Sequence, residues 1–112
     1  LKGTFSGSGQ VTVSGNTLRI ETVPEGVTVG REVTLSVRPE DISVLPGAQE
    51  GENSLQGRIT FIRDVGSIVE IYLDCKGFQI ISQSTPKARP AVREGDTATA
   101  VLPPSACVVL KS

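Results

Sequence analysis

Apolar and polar residues alternate with period two along most of this chain, a pattern that β-strands satisfy and helices do not. Leu18 and Ile20 are apolar, with Thr17, Arg19 and Glu21 polar around them. Val33, Leu35 and Val37 alternate with Thr34 and Ser36, and Val69, Ile71 and Leu73 alternate with Glu70, Tyr72 and Asp74. Alternation over four to eight residues, rich in β-branched side chains, describes strands buried on one face. No window keeps apolar residues at i, i+3, i+4 and i+7 over three turns, so long helices are not expected. Gly (12) and Pro (7) are spread along all 112 residues and cut the chain into short elements. The spacing predicts strands over 10–13, 17–22, 33–37, 55–63, 68–74, 78–82, 97–102 and 107–110. Asp74-Cys75-Lys76-Gly77 reads as the turn of a hairpin, with Gly77 free to take positive φ. The expected fold class is all-β, a sandwich or small barrel. Val33, Leu35, Val37, Ile59, Phe61, Val69, Ile71, Leu73, Phe78, Ile80, Ala100 and Val108 are its expected core.

The chain also repeats itself. Laying Gly30–Leu45 over Gly95–Leu110, an offset of 65, aligns Thr34 with Thr99, Pro39 with Pro104 and Val44-Leu45 with Val109-Leu110. Leu1-Lys2-Gly3 resembles Leu55-Gln56-Gly57 at an offset of 54. The second copy is therefore expected to carry an insertion of eleven residues (65 minus 54), placed in the Ser84 to Glu94 loop. Two related units follow, 1–45 and 55–112, joined by a polar linker at 46–54.

Composition removes several functions. There is no His, hence no Ser-His or Cys-His dyad and no His-containing zinc site. Lys plus Arg total 11 against 12 Asp plus Glu, a net charge of -1, which offers nucleic acid no broad basic footprint. The longest apolar run, Ala106 to Leu110, is far short of the roughly 20 residues a spanning helix needs. Residue 1 is Leu and Met is absent, so the chain is expected to be processed or part of a longer one. Cys75 and Cys107 read as free thiols of a reducing cytosol, with Cys75, beside a tight turn, the more exposed.

In Arg38-Pro39-Glu40-Asp41-Ile42 the proline fixes φ and ends the preceding strand, and Glu40 and Asp41 suit the first turn of a short helical segment. Pro103-Pro104 do the same in the second copy, with Ser105 as the expected cap. A paired-carboxylate role for Glu40 and Asp41 is disfavoured, because adjacent residues rarely converge on one site. Val37-Arg38-Pro39-Glu40-Asp41-Ile42 resembles the Arg-Pro-Glu motif of the transport-associated OB (TOBE) domain of ATP-binding-cassette importer ATPases. Asn53–Ile59 with Gly57, the Gly66 turn before Val69-Glu70-Ile71, and Gly95 followed by Pro103-Pro104 and Val108–Leu110 are similar to later motifs of that domain, in its order.

The resemblance implies two OB-like halves in tandem. It also implies a regulatory and dimerisation role beside an upstream nucleotide-binding domain. ATP and Mg would belong to that upstream domain, with no cofactor here and no catalysis in this chain. The implied partners are a second copy through the parent ATPase, membrane permease subunits indirectly, and a regulatory protein or small ligand. The implied location is cytoplasmic, peripheral to the inner face of the membrane. Two other classes compete. Arg58 to Arg93 holds six basic and three acidic residues with Phe61, Tyr72 and Phe78 among them, as a single-stranded nucleic-acid module would. Main-chain N–H groups near Gly95 or Ser82–Thr85 could instead hold a small oxyanion. Ile62, Ile68 and Ile81 fall off the core phase and are the expected self-association surface. Sedimentation at rising concentration should show a weak monomer–dimer equilibrium; a clean monomer at millimolar protein would remove the pairing role.

Overall fold

Alternation becomes ten strands in the computed structural model, which describes residues 1–23 and 25–111. They are β1 (Lys2–Gly7), β2 (Gln10–Val13), β3 (Asn16–Arg19), β4 (Glu32–Ser36), β5 (Ser43–Pro46), β6 (Ser54–Asp64), β7 (Val69–Cys75), β8 (Phe78–Ser84), β9 (Thr97–Val101) and β10 (Val108–Lys111). Single 3-10 turns stand at Pro39–Asp41, Pro86–Ala88 and Pro104–Ala106, each with proline at its start. All eight expected strands are present within a few residues; β1 and β5 were not among them. β1 reads Lys-Gly-Thr-Phe-Ser-Gly, whose two glycines hide its β character, and four-residue β5 ends in proline.

The strands form two antiparallel sheets, β10-β4-β1-β2-β3 and β5-β9-β6-β7-β8. Each sheet takes its first strand from the far half of the chain. β5 leaves the first half to pair with β9, Val44 opposite Ala100, and β10 returns to pair with β4, Val109 opposite Leu35. One continuous core joins both sheets, from Phe5, Val11 and Leu18 through Leu35 and Val44 to Leu55, Ile71, Leu102 and Val109.

The repeat is carried by the backbone. β4, the 39–41 turn and β5 map at an offset of 65 onto β9, the 104–106 turn and β10, boundary for boundary. Gly3 faces Val33 as Gly57 faces Ala98. A side chain at either glycine would collide with the next strand, its Cβ 2.6 Å from the Thr12 oxygen in one case and 2.7 Å from the Asp74 oxygen in the other. Most of the insertion lies elsewhere than expected. The offset is 54 at β1/β6, 62 at the β2–β3 and β7–β8 hairpins (Val13 and Asn16 against Cys75 and Phe78), and 65 thereafter. Eight of the eleven residues therefore lengthen the β6–β7 arm, and three fall before β9.

Phase errors have one physical source each. Phe61 was expected in the core and is 49% exposed. Thr60 is an extra residue between the Ile59–Leu73 and Phe61–Tyr72 pairs, and this bulge turns Phe61 outward onto Tyr72, ring centroids 5.5 Å apart. Ile62 then turns toward the core opposite Ile71. β1 bulges at the matching Ser6. Val108, also expected inside, is exposed and Val109 is buried, as the repeat partner Val44 is. Val37 and Phe78 are half-buried beyond or at a strand end. The 74–77 turn closes as expected, with Lys76 and Gly77 at positive φ and the Gly77 N–H donating to Asp74 Oδ1.

Asn53 ties the halves together. Buried, and at positive φ, it accepts the Arg19 N–H at 2.7 Å and donates Nδ2 to the carbonyls of Arg19 and Leu102, both at 2.8 Å. Leu35→Ala should destabilise by ~2–5 kcal/mol, since its side chain is 1% exposed. Asn53→Ala should cost about 2–4 kcal/mol by stranding buried backbone groups. Urea unfolding of both variants measures this, and a loss below about 0.5 kcal/mol in either would refute its assigned role.

Candidate functional site

A cleft of about 480 Å³ opens where the first half's 39–41 turn and β5 cross the end of β8. Glu40, Ile42, Ser43 and Val44 form one wall, and Ser82, Gln83, Ser84 and Thr85 form the other, with Ile68 between them. The strand exchange creates this wall-to-wall contact, because it carries β5 across to the second sheet. Ser82 holds the walls together: its buried hydroxyl donates to the Ile42 carbonyl at 2.6 Å. Ser84 Oγ is shut off from solvent and has no hydrogen-bond partner among the described residues. Thr85 caps the Pro86–Ala88 turn, its side-chain oxygen accepting the Ala88 N–H at 3.4 Å. Gln83 is turned away from the role of donor to a ligand, giving Nε2 to Glu70 at 3.2 Å. Glu40 is the ionisable side chain of the lining, and apart from the Gln83 carboxamide the other lining side chains are apolar or carry hydroxyls.

The residues singled out by sequence scatter around this site. Arg38, Pro39, Glu40 and Asp41 do form a turn, with Pro39 first and both carboxylates in its first turn. Glu40 borders the cleft, whereas Asp41 lines a separate hollow with Arg38 and Ser105, so the two carboxylates diverge. Pro103 and Pro104 open the matching turn, but Ser105 lies inside it and makes no cap bond. Gly57 sits where strands approach closely, and Gly66 at positive φ donates its N–H to Asp64 Oδ1. Gly95 is not available to an anion, because its N–H is held by the Ile59 carbonyl at 2.7 Å. Of the two suggested nests, Ser82–Thr85 lines the cleft. The β7 ladder takes the main chain of Ser82 and Ser84, opposite Ile71 and Val69, while that of Gln83 between them faces away from β7. Ser43 was missed; its one signal was its position directly after the proline turn. Ile68 lines this cleft, Ile81 lines a different groove, and Ile62 packs toward the core.

A family model described as the TOBE domain matches residues 35–110. The chain belongs to the TOBE domain family. Among solved structures, this TOBE chain is similar to the cytoplasmic molybdate-binding protein ModG in a molybdate-bound form. The TM-score is 0.84 and the identity 22%, and the match covers 99% of this chain and 94% of that one. It establishes that the two share a fold of tandem OB-like halves. No curated protein matches by sequence. No helix of the described residues is long and apolar enough to cross a membrane.

The thiols correct one expectation. Both are free, and Cys75 is buried at 2% exposure rather than exposed, because it takes the inward phase at the end of β7. Burial, and to a smaller degree the charge of Asp74, push its thiol up to about 11 from 9.0. Cys107 is also raised by burial, against the hydrogen bond from Asn53. Because the folded Cys75 keeps its proton longer than the unfolded one, the stability it lends is present below pH about 9 and lost as pH rises toward about 11. Thermal unfolding from pH 8.5 to 11 should show that decline, reduced in Cys75→Ala; parallel curves for the two proteins would refute it.

Proposed function

We propose that this TOBE chain is a non-catalytic binding module that takes a small tetrahedral oxyanion in the cleft between the 39–41 turn and the end of β8. The observation that carries the reading is Ser84, whose enclosed Oγ is without a partner among the described residues, on a wall shared with Thr85 and facing Ser43. A buried hydroxyl left unmatched costs about 1–3 kcal/mol, and an oxyanion offers four acceptor oxygens. Hydrogen bonds to a charged acceptor are stronger than neutral ones, so hydroxyls can hold an anion with no lysine or arginine in the lining. The fold shared with a molybdate-binding protein supports an oxyanion over other small ligands. Glu40 opposes an anion and sets affinity lower than the hydroxyls alone would give. Arg63 pairs with Glu70 and Arg89 with Asp64, which weakens the case for a basic nucleic-acid surface.

Calorimetry with molybdate, tungstate, sulfate and phosphate tests this. Molybdate should bind, and Ser84→Ala should weaken it about tenfold or more. Glu40→Gln should tighten it about tenfold at low salt, since a unit charge ~6 Å from a dianion in water costs ~1.4 kcal/mol. No heat from any of the four anions would overturn the proposal.

A second reading keeps the regulatory and pairing role beside an importer ATPase, with a homodimer at the inner face of the membrane. Its support is β10, an edge strand with Val108 54% and Leu110 50% exposed. Dimerisation without anion binding would favour it.

A further inference from the structure

A bare tetrahedral oxyanion fills only part of the cleft between the 39–41 turn and the end of β8. Its four oxygens occupy on the order of 100 Å³, at about 30 Å³ for each water-sized atom. The cleft holds about 480 Å³. That volume lies within the range of sites for small organic molecules, about 300–1,000 Å³, where a largely apolar lining carries a few polar groups that fix orientation. The lining has this composition. Ser43, Ser84 and Thr85 supply hydroxyls, and Ile42, Val44, Ile68, Ala88 and Pro90 supply apolar surface. The apolar share comes from three separate places: the start of β5, the tip of the β6–β7 arm, and the segment from the Pro86–Ala88 turn onward.

Ile68 is the residue that a bare anion leaves unexplained. It stands at the tip of the arm, where its carbonyl accepts the Val65 N–H at 3.0 Å and closes a two-residue turn at Gly66-Ser67. Its backbone is held by that bond, yet the residue is 38% exposed and borders the cleft. An isoleucine fixed in this way is unfavourably hydrated until an apolar body covers it. The charge of the ligand follows from the same lining. Among the described lining residues there is no lysine or arginine, and Glu40 is negative. Each further negative charge on a ligand is therefore opposed by Glu40 and offset by no cation.

We propose that the cleft takes a monoanionic organic oxyanion, a sulfonate or sulfate monoester, whose head meets the Ser84 hydroxyl and whose alkyl or aryl body lies against Ile68. Such a head keeps three acceptor oxygens for the hydroxyls of Ser43, Ser84 and Thr85, and meets half the repulsion from Glu40 that a dianion would. The body occupies the volume that the head leaves and covers the apolar wall. The proposal rests on the oxyanion reading of this cleft, and adds to it an apolar body and a single charge.

Calorimetry with the alkanesulfonates from methane- to hexanesulfonate measures the body, and hexanol and hexyl phosphate measure the head. Affinity should rise about two- to fourfold for each methylene added, as a CH₂ is buried in part or in full, up to the length the cleft holds. Hexanesulfonate should bind about tenfold or more above hexanol, which has no charged acceptor. It should bind about threefold above hexyl phosphate at low salt, where the phosphate carries a second charge. Ile68→Ser, at an exposed position, should flatten the rise with chain length. An unchanged rise in Ile68→Ser, or equal affinity along the series while molybdate or sulfate binds, would overturn the proposal and leave the oxyanion reading standing. No binding by any sulfonate or any inorganic anion would overturn both, as would hexanol binding as tightly as hexanesulfonate.

Discussion

Neither half of this chain can complete its own sheet. After the proline turn at 39–41 the backbone has left the plane of β4, and β5 finds its ladder on β9 in the other half. The turn at 104–106 sends β10 back to β4 by the same geometry. The exchange buries Val44 and Val109, which would otherwise be apolar side chains on stray four-residue strands. It also fuses what the chain order presents as two units into one core, so that loss of either terminal strand exposes residues of both halves. Cooperative unfolding of the whole chain is the thermodynamic consequence.

The exchange also decides where chemistry can occur. Carrying β5 across the end of β8 brings Ser43 and Glu40 within one cleft of Ser82, Ser84 and Thr85, residues about forty positions away in sequence. Ser82 is consumed in holding the walls and Ser84 is not, although the two are alternate residues on one face of one strand. That difference separates a hydroxyl with a structural partner from one with none among the described residues. Asn53 shows the complementary economy: a single carboxamide replaces a whole strand at the edge of β3.

Much of the fold was legible because alternation and proline turns are local signals. Val33, Leu35, Ile59, Val69, Ile71, Leu73, Ile80 and Ala100 are buried as their spacing implied. Phe61 was not legible, because a bulge is a two-strand event: Thr60 becomes an extra residue only against the register of β7. The candidate site was legible in part. The main chain of Ser82–Thr85 stood out as a possible anion contact and the segment does line the cleft, but which of its groups are already bonded depends on the register of the β7 ladder.

By itself the sequence determined the strand-forming segments, the proline turns, the duplicated plan and the residue types that exclude His-dependent chemistry. These follow from period, turn residues and composition, which act over a few neighbours. The tertiary structure alone decided that the halves trade strands, that the extra residues lengthen the β6–β7 arm, and that Cys75 is enclosed. It also decided that Gly95 is already bonded and that Ser84 is left without a partner among the described residues. Each of those outcomes depends on register between segments distant in the chain, and register is fixed only once one face of each paired strand is buried in the shared core.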